Sequence, residues 1–206
     1  MTLANSIYQS LNKTHPGSLA PLTTLSKSDD GFSFIESDYS AFNFDTVQNL
    51  GGKETIKEKS PDALILKGDE IYFVEFKSGK WEKHDIRLKI HEGLTTLFQY
   101  ATNNRLCTRE EFLNIKFSYV VITTRHLTGK QKAAAAKSSM FLEALLRSNA
   151  YFGLSNLEGF LLKQASLFSD PQGIYKAFKH ISSDAIENLV VNCPIAGKIS
   201  YPLPVA

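Results

Sequence analysis

Residues 60–79, SPDALILKGDEIYFVEFKSG, place two carboxylates and a lysine among residues that are typical of buried β-strands. The runs 62–66 and 71–76 are rich in β-branched, aromatic and other apolar side chains, as strands covered on both faces are. Residues 67–70 lie between them and contain the Gly-Asp pair of a tight turn. The stretch therefore predicts a buried β-hairpin.

The same hairpin predicts which side chains face each other. Whether its loop has two residues or four, Leu66 pairs with Ile71 and Asp62 pairs with Glu75. Directly opposed residues have Cβ atoms about 4.5 to 5.5 Å apart, and like charges there are destabilising unless something neutralises them. Because side chains alternate along a strand, Lys77 projects to the same face as Glu75. We expect a pair of carboxylates with an amine at its edge.

This arrangement suits a divalent cation. Mg²⁺ prefers one or two carboxylates together with waters and phosphate oxygens. Lys77 is then expected to orient a water or to stabilise negative charge on a phosphate in the transition state. The alternative is a surface hairpin in which Glu75 and Lys77 form an ion pair worth about 0 to 1 kcal/mol. Exposed hairpins seldom have two apolar faces, which favours the metal site.

Pro61-Asp62, followed after the turn by Glu75-Phe76-Lys77, resembles the PD-(D/E)XK signature of the restriction-endonuclease-like nucleases. The resemblance implies an α/β fold with a restriction-endonuclease-like core, a mixed central sheet flanked by helices. It implies that Asp62 and Glu75 bind catalytic Mg²⁺ or Mn²⁺, with the Phe76 backbone carbonyl as a further ligand. It also implies that Lys77 assists the attacking water.

The sequence departs from that pattern upstream of the hairpin. Many members of the superfamily carry a further glutamate on the first helix, and the helix predicted over residues 3–12 contains no acid. Glu36, Asp38 and Asp45 are the alternatives. Asp45 is preferred as a metal ligand because FNFDTV predicts a strand that would place it near Asp62, although a turn or edge role fits equally well. The number of metals therefore stays open.

Basic residues follow the hairpin directly and predict contacts with nucleic-acid phosphates. They are Lys80, Lys83, Arg87 and Lys89. The alternative is that these residues lie at the beginning of a helix and are exposed to solvent without contacting a substrate. A second basic group has the same two interpretations and comprises Arg125, His126, Lys130, Lys132 and Lys137.

The order of elements along the chain predicts an α/β fold. A helix and loop are expected over residues 1–31, a strand around 42–46, a helix from an Asp85 N-cap to 102, and a strand over 114–126. A helix over 129–149, a strand over 157–168 and a helix over 169–181 with Pro171 in its first turn follow. The proline-containing tail, 192–206, is expected to be irregular.

Length and composition fit a single domain over residues 1–206, which the resemblance implies is nuclease-like. The net charge is only +2, so any basic surface must be local. Cys107 and Cys193 match no disulfide or metal-ligand spacing and predict free thiols. The N-terminus lacks the pattern of a signal peptide, and no apolar run has membrane-spanning length. We therefore expect a cytoplasmic protein that does not contact a membrane.

These features together predict a metal-dependent nuclease that hydrolyses phosphodiester bonds of nucleic acid. The resemblance favours DNA over RNA and suggests the effector of a defence or DNA-processing assembly, acting as a homodimer or with a targeting protein. The alternative is a non-catalytic subunit of the same fold that binds DNA or supports assembly, since a fold does not by itself fix a function.

Overall fold

The structure is a computed structural model that describes residues 1–28, 31–47, 59–77, 83–123, 157–193 and 197–202. The helices are α1 (Leu3–Thr14), α2 (Leu22–Leu25), α3 (Lys83–Asn103), α4 (Arg109–Leu113) and α5 (Pro171–Ile181). The strands are β1 (Leu19–Pro21), β2 (Ile35–Glu36), β3 (Ser40–Asn43), β4 (Ala63–Lys67), β5 (Glu70–Lys77), β6 (Lys116–Thr123), β7 (Gln164–Phe168), β8 (Leu189–Cys193) and β9 (Gly197–Tyr201).

Two sheets organise these elements. The larger has six strands in the order β1-β3-β4-β5-β6-β7. Its pairs are antiparallel from β1 to β5 and parallel from β5 to β7. The smaller has three antiparallel strands in the order β2-β8-β9. The fold is mixed α/β, as the order of elements predicts, and its central sheet is mixed, has six strands and is flanked by helices.

The β4–β5 hairpin forms with the predicted register. Leu66 pairs with Ile71, and the ladder closes at Lys67 and Glu70, so the loop has two residues. Gly68 begins the loop with a φ of 61°, a conformation that side chains with a Cβ rarely adopt. The other end of the ladder joins Ala63 to Val74 and therefore brings the preceding Asp62 beside Glu75.

Apolar side chains cover both faces of the central sheet. On one face, Phe73 of β5 packs in a cluster with residues from α1, α3 and α4, including Ile90 and Leu97 of α3. On the other face, Val74 packs in a cluster with α5 and the smaller sheet, including Phe178. The alternation of Phe73 and Val74 explains why β5 has no polar face. Glu75 lies two residues after Phe73 and therefore points to the same face of the sheet, toward α3.

Both ends of the chain contain more regular structure than the sequence predicts. Residues 13–31 were expected to form a loop, but β1 pairs with β3 and α2 follows it. The tail from 192 was expected to be irregular, but β8 continues to Cys193 and pairs with β9 and β2. These strands are stabilised by partners distant in sequence. Pro202 lies just after β9 and so does not interrupt its ladder.

Several element boundaries also differ from the sequence prediction. The strand expected around 42–46 ends at Asn43, whose side chain caps a 3₁₀ turn at Phe44–Thr46. Asp85 lies inside the first turn of α3 and is not its N-cap. The strand expected over 157–168 begins only at Gln164. The helix predicted over 129–149 and the second basic group lie outside the described residues.

Strand β6 and helix α5 agree with the prediction. Lys116–Thr123 forms the parallel neighbour of β5, and its β-branched and aromatic side chains are buried as a central strand requires. Helix α5 begins with Pro171, and the Asp170 side chain accepts a hydrogen bond of 2.7 Å from the Gly173 N–H. This is the N-cap that the Asp-Pro sequence predicts.

Candidate metal centre

Asp62 and Glu75 form an acid pair where β4 begins and β5 nears its end. The Glu75 side chain is fully buried, whereas that of Asp62 is 21% exposed. Asp62 Oδ2 accepts a hydrogen bond of 2.6 Å from the Phe76 backbone N–H, which fixes the orientation of this carboxylate. Strand register therefore positions Glu75, and a hydrogen bond from the backbone positions Asp62.

Two lysines neutralise the acid pair. Lys89 of α3 places its Nζ 2.8 and 2.9 Å from the two carboxylate oxygens of Glu75 and 3.2 Å from Asp62 Oδ1. Lys77 places its Nζ 2.9 Å from Glu75 Oε1. Two negative charges are thus matched by two positive charges. This match explains how like charges can be adjacent at a buried position.

Burial dominates the electrostatics of the pair. It raises the pKa of Glu75 to about 7; the charge of Asp62 acts in the same direction, and Lys89 and Lys77 oppose it. Burial also raises the pKa of Asp62, against the effects of Lys89 and the Phe76 N–H. For Lys89, burial lowers the pKa, but the two carboxylates outweigh it and the net shift is upward. At both carboxyls, burial therefore disfavours the ionised form more than the neighbouring lysines favour it.

The pair opens into a cleft of about 430 Å³. Asp45, Asp62, Glu75, Lys77 and Lys89 line it, and residues 24–28, in α2 and the segment after it, form another part of the wall. Polar and charged groups therefore face the cleft from two distant parts of the chain. A cleft with buried carboxylates whose pKa is shifted is a candidate functional site.

The oxygen atoms of the acid pair fit a divalent cation. Asp62 Oδ1 and both carboxylate oxygens of Glu75 surround one cationic nitrogen, that of Lys89, at 2.8 to 3.2 Å. These oxygens therefore already converge on one cation position, and carboxylate oxygen is the donor that Mg²⁺ and Mn²⁺ prefer. In the described ranges, no group of three or more His, Cys, Asp and Glu side chains converges as a metal site. The protein ligands would be this pair, completed by the Phe76 carbonyl and water.

Asp45, the residue preferred as an additional ligand, lines the cleft, but it does not lie on the strand that the sequence predicts. It lies in the 3₁₀ turn after β3, not on a strand. Its carboxylate accepts a hydrogen bond from the Ser60 hydroxyl, and its charge contributes to raising the pKa of Asp62. Of the other upstream acids, Glu36 instead pairs with Lys198 of β9 at 2.5 Å.

The basic residues predicted to contact phosphate have different positions. Lys89 was grouped with them, but its amine contacts both carboxylates of the acid pair. Arg87 is half-buried on α3, and Lys83 is the first residue of that helix. Lys80 lies outside the described residues.

The contact of Lys89 with the acid pair was not anticipated, although the sequence carries a signal for it. Lys89 lies three residues after the buried Ile86, on the core-facing stripe of α3. One turn later, a Cβ on Gly93 would lie only 2.8 Å from Cδ of Pro61. The missing side chain lets α3 approach the residue that precedes Asp62. A lysine on the core-facing stripe of a helix thus indicates a buried cation, but it does not identify the carboxylates that the cation contacts.

Within the described ranges, no helix combines the length and the apolar composition needed to cross a bilayer. Comparisons with family models, with curated proteins and with solved structures gave no match.

Proposed function

We propose that this chain is a Mg²⁺- or Mn²⁺-dependent nuclease of the PD-(D/E)XK type, with a restriction-endonuclease-like fold, that hydrolyses phosphodiester bonds of DNA in preference to RNA. The observation that carries the proposal is the convergence of Asp62 and Glu75 on one cation position, with Lys77 at its edge. The mixed sheet with the hairpin at its centre is compatible with that fold.

The reaction requires a cation, a water and an electrophilic phosphate in one place. A bound Mg²⁺ or Mn²⁺ supplies Lewis-acid stabilisation of negative charge and makes a water more acidic. Asp62 and Glu75 hold the cation, and the Phe76 N–H keeps Asp62 in the orientation that this requires. Lys77, next to Glu75 and open to the cleft, orients the water or stabilises charge on the phosphate. Asp45 lines the same cleft, where its negative charge acts on Asp62, but it is not one of the cation's ligands in this proposal.

Substrate contacts are proposed for Lys80, Lys83 and Arg87, because these basic residues follow β5 in the sequence and lead into α3. A net charge of +2 gives the chain little general affinity for nucleic acid. Targeting is therefore assigned to a second copy or to a partner protein in a cytoplasmic defence or DNA-processing assembly.

One observation favours a second candidate, a non-catalytic DNA-binding or assembly subunit of the same fold. Lys89 already neutralises the acid pair, so the buried carboxylates are satisfied without a metal. In such a protein the four charged side chains would be a structural ion cluster.

Incubation of the purified chain with plasmid, linear duplex DNA, single-stranded DNA and RNA separates the two candidates. A nuclease cleaves at least one substrate with Mg²⁺ or Mn²⁺ and none in EDTA. Asp62→Ala and Glu75→Ala should lower the rate by at least about 100-fold, the scale of losing a main electrostatic contribution. Glu70→Gln, a buried glutamate at the far end of β5, is the matched control and should retain activity.

A folded wild-type chain that cleaves none of these substrates would support the non-catalytic subunit. Cleavage at the wild-type rate by both alanine variants would show that the acid pair is not the active site. Variants purified in parallel also reveal contaminating nucleases, because contamination does not follow the substitution.

A further inference from the structure

Lys89 occupies the position at which the acid pair would hold a metal. Its Nζ contacts three carboxylate oxygens, and its side chain is 17% exposed. Lys77 contacts one of those oxygens from the edge of the pair. The two lysines therefore have different positions: Lys89 bridges both acids, and Lys77 flanks one of them.

A divalent cation and Lys89 cannot share this position. Mg²⁺ requires oxygen ligands at about 2.0–2.1 Å in near-octahedral geometry. The oxygens available to it are those that now accept hydrogen bonds from Lys89, and two cations at one point repel each other. Lysine has a flexible four-carbon stem, so its ammonium can move without a shift of α3. Lys89 lines the cleft, which is the space open to it.

We propose that Lys89 is a substrate-phosphate ligand that metal binding releases: its ammonium neutralises the acid pair in the metal-free protein and binds a phosphate oxygen in the cleft once the pair holds a dication. This inference rests on the proposed function. Among the described residues, Lys77 and Lys89 supply the two positive charges in contact with the acid pair, so a bound dication adds positive charge to the cleft. That added charge attracts a phosphodiester and would be absent before the metal binds.

Metal and nucleic acid then bind cooperatively. Each tightens the other by the same factor, and couplings of this kind are typically about 5- to 150-fold. The released amine also gives the site selectivity for a charged backbone, because an uncharged ligand would leave the added charge unmatched.

Amine labelling of the intact wild-type chain tests the release directly. Acylation of Lys89, followed by mass spectrometry, should be slow in EDTA, several-fold faster with saturating Mg²⁺, and slow again when a phosphorothioate oligodeoxynucleotide is added with Mg²⁺. The oligonucleotide keeps its charge but resists cleavage. Lys163, which pairs with Glu70 at 2.6 Å at the other end of β5, is the control and should not respond to Mg²⁺.

Lys89→Met provides the second measurement. At saturating Mg²⁺, the variant should bind the oligonucleotide more weakly than wild type, and the slope of log affinity against log salt should fall by about 0.7 to 0.9, the value for one phosphate contact. Unchanged labelling of Lys89 despite calorimetric binding of Mg²⁺ would overturn the release, as would an unchanged salt slope. A wild-type chain that binds no Mg²⁺ would overturn the proposed metal site and this inference together.

Discussion

Glu75 is the residue on which the proposed chemistry depends most. Its carboxylate is fully buried, and burial raises its pKa to about 7. An ionised group in that position needs cationic partners, and Lys77 and Lys89 supply them. Lys77 lies on the same strand and is 21% exposed toward the cleft, so it can act on a substrate without leaving Glu75. This position distinguishes it from Lys89, which bridges both acids.

Substitution of Lys77 tests its assignment as the catalytic lysine. Lys77→Arg keeps the charge but changes the geometry and should retain part of the activity. Lys77→Met should lower the single-turnover cleavage rate by about 100- to 1,000-fold, because a preorganised charge beside the phosphate is lost. Metal affinity, measured by calorimetry, should stay near wild type in both variants.

The control for Lys77 is Lys116→Met, which removes an exposed lysine paired with Asp69 at 2.8 Å. It should cleave at the wild-type rate. Comparable cleavage by Lys77→Met, or loss of its metal binding, would exclude Lys77 as the catalytic residue.

Strand β5 carries a buried glutamate near each end, and their environments shift the two pKa values in opposite directions. Burial raises the pKa of Glu75 above its ordinary value. Burial also acts to raise the pKa of Glu70, but hydrogen bonds from Lys163 and Ser118 outweigh it and hold that pKa below 4.5. Glu70 is therefore stabilised as the anion, whereas burial disfavours the anion of Glu75.

The pH dependence of stability tests this contrast at Glu70. A carboxyl whose pKa is lower in the folded state stabilises the fold above its unfolded-state pKa, and this contribution is lost as the pH falls through the folded-state value. Glu70→Gln should therefore lower the free energy of unfolding by about 1 kcal/mol near neutral pH. The difference from wild type should shrink below pH 4.5. Urea unfolding over this pH range measures it, and a difference that does not change with pH would contradict the assignment.

The elements that the sequence predicted well are those whose signals are local. The β4–β5 hairpin follows from a two-residue loop between apolar runs, and α5 follows from its Asp170 cap and Pro171. The short strands at both ends of the chain were missed because their pairing is non-local. Leu19 of β1 pairs with Phe42 of β3, and Ile35 of β2 pairs with Val191 of β8. Strands of two to five residues carry too little pattern of their own to predict such partners.

In the whole molecule, the site combines parts of the chain that are far apart in sequence. The acids come from the hairpin, Lys89 from α3, and part of the cleft wall from residues 24–28. The acid pair was predictable because strand register fixes it. The contact of Lys89 depends on how closely α3 crosses the hairpin, which the small size of Gly93 permits. The spacing of residues in the sequence does not predict how closely the helix approaches the hairpin.

The central claim is that Asp62 and Glu75 form a site for a divalent cation. Calorimetric titration of Mn²⁺ into the wild-type chain, Glu75→Gln and Glu70→Gln tests it most directly, because both variants replace a buried glutamate of β5. Wild type and Glu70→Gln should bind Mn²⁺ with similar affinity. Glu75→Gln should bind more than about 100-fold more weakly, beyond the about 10- to 100-fold effect of residues that only support a ligand. Equal binding by Glu75→Gln and wild type, or no binding by wild type, would contradict the claim.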